Sequence, residues 1–254
     1  MRFFCLPELS DMMKHFFSLL TVLFNMCAYA ETPSTFVLQA HHQAIQSTST
    51  IRAGDLSLIN LVDLFTHLQT NQPPAQIIHE TLRREVEQTS EIGSLFVTDQ
   101  MGKVIYDSLS LPPQSNLVTD RLYFREAFKL NNNEIYIAQS HTDPVTRKKY
   151  IPLSRPIYGK DATVQYIAVA FLDATNLFNG KRQCDGCEIA LYKSDNTKIY
   201  SEPDRFILDR TLEELTQDIK ENTPSKLPNS AKEGTYLWLY LQSYDLFLVY
   251  REHQ

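Results

Sequence analysis

The stretch YIAVAFLD, residues 166–173, is a run of apolar residues that ends on a carboxylate. A carboxylate closing a strand meant for burial is costly unless it meets a cation or several hydrogen-bond donors. Asp173 therefore calls for a partner, and two chemistries supply one. The first is the ammonium group of a bound molecule; the second is the set of backbone N–H groups opening a helix over ATNLF, which the side chain would cap. One carboxylate has acceptor sites enough for both. Arg121 offers the forked guanidinium suited to a carboxylate, either a ligand's or that of a nearby acid such as Glu126. Tyr123, two residues on, supplies a ring wall and a hydroxyl, or else a core aromatic. Arg155, on the opposite face of its strand from Ser154, reads as one half of a structural salt bridge, because arginine is rarely buried unpaired. His141 falls in a turn, either exposed or facing a pocket where it would make recognition pH-dependent near neutrality.

Covalent chemistry finds little to work with. The sequence lacks G-x-S-x-G, H-E-x-x-H, a P-loop and a Gly-rich dinucleotide turn, and its seven glycines leave little of the phosphate-cradling backbone such motifs need. His41 and His42 are adjacent, so on a helix their side chains diverge by about 100° and read as a solvated face rather than a metal pair. No enzymatic activity, metal or cofactor is expected. Cys184 and Cys187, in QCDGC, are the one seed of redox chemistry. No second CxxC, histidine pair or βαβ frame accompanies them, and in an oxidising compartment a small local disulfide is the default. The net charge of -6, with no basic run longer than Arg147-Lys148-Lys149, argues against nucleic acid as a partner. That triplet reads as a solvated turn.

The oxidising compartment follows from the first 30 residues, which read as an export signal. The apolar run Phe16 to Phe24 is far short of the roughly 20 residues a spanning helix needs, and Ala28-Tyr29-Ala30 before Glu31 fits a cleavage site. Glu8 and Asp11 are out of place at the head of such a signal; a start at Met12 or Met13 puts Lys14 there instead, and the true start is expected at one of them. Cys27 lacks the small preceding residues of a lipidation site. A periplasmic protein is the expectation, with an inner-membrane anchor through an uncleaved N-terminal segment as the alternative.

The elements that must hold these groups can be read from the hydrophobic period. A long helix is predicted over 36–68, with Leu56, Ile59, Leu64 and Leu68 toward the core and Gly54 as an interruption. After Pro73-Pro74 a second helix places Ile78, Leu82 and Val86 on one face. SLFVTD and MGKVIYDS form strands around an Asp99–Gly102 turn, a Pro-containing loop follows, and Asp120 caps a short helix in DRLYFREAFKL. Strands near 135–140, 149–157 and 164–172 complete a five-stranded antiparallel α+β sheet. CEIALYKSDNTKIYSEPD repeats the strand, turn, strand pattern. A helix with Leu212, Leu215 and Ile219 behind a Thr211–Glu214 capping box comes next, and TYLWLYLQ and YDLFLVYR close the chain as a hairpin around Gln242-Ser243. The expected divisions are 1–30 signal, 31–90 N-terminal helices, 91–182 a larger module and 183–254 a smaller one.

In order and spacing, LFVTDQMGKVIYDS, DRLYF, YIPLSRPIY and YIAVAFLDATNLF resemble the membrane-distal half of a double Cache (PDC-type) extracytoplasmic sensor domain. Such domains form the sensory ends of bacterial diguanylate cyclases and chemoreceptors. The resemblance covers residues 35–251 and is most specific between Leu95 and Phe178. It implies a long N-terminal helix packed along two PAS-like modules, with a small-molecule pocket in the distal one. Arg121-x-Tyr123-Phe124 resembles the segment whose arginine and aromatic ring hold a ligand carboxylate. His141-x-Asp143 stands where amino-acid-binding members carry Tyr-x-Asp, and Asp173 matches the strand-terminal aspartate that accepts from a ligand ammonium. His141 replaces a tyrosine, and Asn116 stands where a further tyrosine is expected, so the ligand class stays open among amino acids, amines and carboxylates.

The expected function is that of a periplasmic sensor that binds a small molecule and passes its occupancy to a membrane-bound receptor or other signalling partner, the last strand being followed by no output domain. Two alternatives stand beside it: an exported thiol–disulfide protein working through Cys184 and Cys187, and an interaction module that binds no small ligand.

Overall fold

A computed structural model of the protein describes residues 35–68, 73–114, 117–131, 133–144, 146–178, 187–206 and 235–252. Residues 1–30, Asn116, Cys184 and the helix expected around Leu212, Leu215 and Ile219 lie outside the described residues. Of these residues, Thr35–Leu38 belong to an N-terminal unit, and everything else discussed below stands within the unit Gln39–Gln254.

Helix α1 spans Thr35–Leu68, as the periodicity predicts, but it buries another face. Leu56 is 46% exposed, whereas Ala44, Ser47, Ile51, Gly54, Leu58 and Leu61 are buried. Close approach explains the shift. A Cβ at Gly54 would stand 2.6 Å from Leu172 and 2.8 Å from Leu153, so the helix meets the sheet on its small residues, and Gly54 is the point of contact rather than an interruption. Helix α2, Ala75–Gln88, starts directly after Pro74 and buries Ile78 and Leu82.

The first sheet comprises β1 (Ile92–Asp99), β2 (Val104–Asp107), β3 (Tyr136–Ile137), β4 (His141–Thr142), β5 (Lys149–Tyr158) and β6 (Val164–Asp173). Its order is β2-β1-β6-β5-β3, with β4 also pairing β5, and every pairing is antiparallel. The strand expected near 135–140 is thus two short pieces on β5, so the sheet has six strands rather than five. The second sheet, order β8-β7-β10-β9, comprises β7 (Glu188–Lys193), β8 (Lys198–Glu202), β9 (Thr235–Leu241) and β10 (Leu246–Glu252). The architecture is α+β, a long helix with two antiparallel sheets.

The repeat read in the sequence is structural. In the first sheet Asp99 Oδ1 accepts from the Met101 and Lys103 amides, both at 2.9 Å, and Gly102 takes φ +74°. In the second, Asp195 Oδ1 accepts from the Thr197 amide at 2.8 Å, and Asn196 takes φ 68°. Both are local aspartate turns that need a left-handed residue.

Side-chain alternation gives the first sheet two faces. Leu153, Arg155 and Leu172 face α1, where Arg155 meets Asp55. Ser154, Ile167, Val169 and Phe171 face the short helix α3 (Leu122–Ala127), with Ser154 Oγ donating to the Tyr123 carbonyl at 2.7 Å. The N-cap of α3 is Arg121 with no side-chain cap, so Asp120 does not cap it as expected; its carboxylate instead lies 3.6 Å from Arg121 Nε. The second sheet has its own core around Phe206, Trp238 and Phe247, and the Ser140 amide donates to the Ile199 carbonyl at 2.8 Å to join the two sheets.

Candidate functional site

Asp173 ends β6 opposite Tyr150 of β5 and, two residues after Phe171, shares its face. Its Oδ1 accepts from the Thr175 amide at 3.0 Å and from Thr175 Oγ1 at 2.6 Å, capping the 3-10 turn Ala174–Asn176. Its Oδ2 lies 3.6 Å from Lys148 Nζ, and its side chain is only 17% exposed. The carboxylate that the sequence left without a partner therefore has both a cap and a cation. The basic triplet is more than a solvated turn: Lys148 serves Asp173, Lys149 pairs with Asp204, and Arg147 takes the left-handed turn position at φ 60°.

Phe171 is the centre of an aromatic cluster on this face. Its ring meets Phe96 edge-on at 5.3 Å, Tyr123 edge-on at 5.8 Å, His141 edge-on at 5.1 Å and Tyr150 stacked at 6.0 Å. Burial pushes the Tyr123 phenol up to about 12, with the Arg121 charge pulling down and Asp120 pushing further up. His141 stays exposed at the sheet edge, as one of its two readings had it, yet desolvation beside these rings holds it below its ordinary value, the Arg121 cation adding to the effect and Asp143 opposing it. The Arg121 charge is thus felt at both Tyr123 and His141.

These residues stand differently toward a ligand. Tyr123 and His141 meet the Phe171 ring, and Asp173 follows two residues on along the same strand face. Arg121 stays at the rim, its side chain 62% exposed beside Asp120; it does not pair with Glu126, which holds Lys129 at 2.7 Å. Asp143 works inside its turn, Oδ1 accepting from the Thr146 amide at 2.6 Å and Thr146 Oγ1 at 3.0 Å. Arg155 forms its expected salt bridge on the other face, at 2.7 Å from Asp55. Cys187 is buried and disulfide-bonded. Sequence reasoning missed Phe171, Tyr150 and Lys148. Phe171 was within reach, since period two puts it beside Asp173, but Tyr150 and Lys148 join only through the β5–β6 register.

No protein-family profile and no curated protein matches the sequence. Solved structures do. The extracellular domain of the histidine kinase rpHK1S-Z16 superposes with a TM-score of 0.68 at 18% identity, over 90% of this chain and 97% of that one. The ligand-binding domain of the Pseudomonas aeruginosa amino acid chemoreceptor PctC, solved with GABA, gives 0.57 at 12% identity over 84% and 95%. That of the Pseudomonas fluorescens chemoreceptor CtaA, solved with L-serine, gives 0.55 at 12% over 84% and 93%. At such identities the likeness is one of fold, and the fold of this chain is that of the double Cache (PDC-type) extracytoplasmic sensor domains.

Proposed function

We propose that the protein is a periplasmic sensor domain that binds a small amino acid, amine or carboxylate on the α3 side of its first sheet and passes that occupancy to a membrane-bound signalling partner. The observation that carries this reading is the meeting of Tyr123 and His141 on Phe171, with Asp173 two residues on along the same face and the Arg121 charge reaching the same place. A ligand ammonium would displace Lys148 from Asp173. That exchange keeps a cation on the 17%-exposed Asp173 while Lys148, 59% exposed, returns to water. Arg121, exposed at the rim beside Asp120, would take a carboxylate with its fork, and the rings would form the walls. The ligands named for PctC and CtaA favour this class. Both belong to chemoreceptors, which favours a signalling role over an enzymatic one. Ligation of Asp173 would act by shifting populations of the β6 end and the turn it caps.

The signal-like N-terminal segment supports export, and among the described residues no helix is long and apolar enough to cross a membrane. The thiol–disulfide alternative is the weaker one, since redox catalysis needs an exposed, activated thiolate and Cys187 is buried and bonded. A thermal-shift screen of the full chain against amino acids, amines and small carboxylates tests the proposal. A ligand at 100 times its Kd adds about 2.7 kcal/mol, so binding registers as a clear rise in Tm. The rise is expected to vanish in Asp173→Ala and Arg121→Ala. A folded protein that answers to no compound would leave the interaction-module reading in its place.

A further inference from the structure

A cavity of about 150 Å³ lies where β3 of the first sheet meets the β7–β8 and β9–β10 turns of the second. Lys193, at the end of β7, lies with its ammonium 3.7 Å from the centroid of the Tyr136 ring on β3. The ring offers a face but no acceptor, and no hydrogen-bond or ion-pair partner of this ammonium occurs among the described residues. Burial holds the lysine below its ordinary pKa, with Asp195 and Glu126 opposing. Its three donors thus border the cavity without a bonded acceptor among the described residues, Asp195 and Glu126 reaching it through their charge alone.

Carboxylates stand in the same lining. Asp245, at φ 51°, is held by Tyr240, whose hydroxyl donates to Oδ1 at 2.9 Å, and by Ser194, whose hydroxyl donates to Oδ2 at 2.8 Å. Asp195 adds a second negative charge to the lining. A carboxylate ligand alone would satisfy Lys193 and face two like charges. An amine alone would meet the acids and leave Lys193 unanswered. Only a molecule with both charges suits the whole lining. A cavity of this volume is of the size that holds benzene, which sets the ligand at about six heavy atoms.

We propose that this cavity is a second binding site, separate from the one around Phe171, that takes a small zwitterion with its carboxylate on Lys193 and its ammonium toward Asp245 and Asp195. The site would also couple parts of the fold. Its occupant touches β3 of one sheet and two turns of the other, and Tyr244 in its wall lies close enough to Asp55 of α1, the partner of Arg155, to feel its charge. Binding there would favour whichever arrangement brings β3, the two turns and α1 together. This inference goes beyond the sensor reading and does not depend on it.

The test is isothermal titration of the full chain with alanine, 4-aminobutyrate, acetate and propylamine. The zwitterions are expected to bind, with Kd rising by about tenfold or more in Lys193→Gln and unchanged in Asp173→Ala. Ser194→Trp, on an exposed turn at the cavity, is expected to abolish binding by filling it, and it decides the matter should Lys193→Gln fail to fold by circular dichroism. With the site around Phe171 disabled by Asp173→Ala, zwitterion binding that survives the addition of Ser194→Trp, or of Lys193→Gln in a folded protein, overturns the proposal. So does acetate or propylamine binding as tightly as the zwitterions, or no binding of any probe by the folded chain.

Discussion

The Arg155 guanidinium donates through Nε to Asp55 Oδ1 at 2.7 Å, tying the middle of β5 to the middle of the long helix with side chains only 8% and 13% exposed. The Asp55 charge also reaches Tyr244, where burial and this charge together push the phenol up to about 12. Removing one member of such a pair leaves a charge buried without its partner. Arg155→Met is therefore expected to cost about 3 kcal/mol or more in urea unfolding, and adding Asp55→Leu to recover part of that loss. If the single variant lost under about 0.5 kcal/mol, the pair would be no more than a surface ion pair.

Gly54 is where α1 touches the sheet most closely, against Leu172 and Leu153, both fully buried. Valine there gains under about 0.5 kcal/mol of helix propensity but overpacks a filled core. Gly54→Val is expected to destabilise by about 2 kcal/mol net. Equal unfolding midpoints for Gly54→Val and the parent would show that helix and sheet can separate at little cost.

Asp173 has a local role and a proposed one, and substitution separates them. Asp173→Ala loses the cap on Thr175 and is expected to cost about 1 kcal/mol, while Asp173→Asn keeps an acceptor for that amide and costs less. Both remove the charge that a ligand ammonium would need. A ligand-induced rise in Tm retained by Asp173→Asn would therefore refute the charge pairing and leave the cap as the whole role of this residue.

His141 carries a pH dependence of stated sign. Its folded pKa lies below the ordinary 6.5, so the unfolded chain takes up the proton first as pH falls. The stability tied to its neutral form is intact above about pH 6.5 and is lost as pH falls from there through the folded pKa. His141→Tyr keeps a ring against Phe171 and does not titrate in this range. The fall of Tm between about pH 7 and 5 should be shallower in the variant than in the parent; equal slopes would assign the dependence to other groups.

Much of the fold was legible from local chemistry. Proline and glycine punctuation, the Asp99 and Asp195 turns and the two-residue alternation of β5 and β6 each act within a few residues, and they gave the element order, the strand repeat and the opposite facing of Ser154 and Arg155. The buried face of α1 was misread because a hydrophobic period finds large apolar residues, whereas close helix–sheet contact selected Ala44, Ser47 and Gly54. At the candidate site the sequence by itself determined that Asp173 needed a partner, since desolvation of a carboxylate is costly wherever it occurs. Only the tertiary structure decided which partners it has. Thr175 is its neighbour in the chain, but Lys148 reaches it across the β5–β6 register, and Phe171 meets His141 through the pairing of β4 with β5. The same holds for Lys193 and Tyr136, which lie in different sheets and meet only because the sheets pack together. Contacts between residues far apart in sequence depend on register and packing, and neither is written in the local residue pattern.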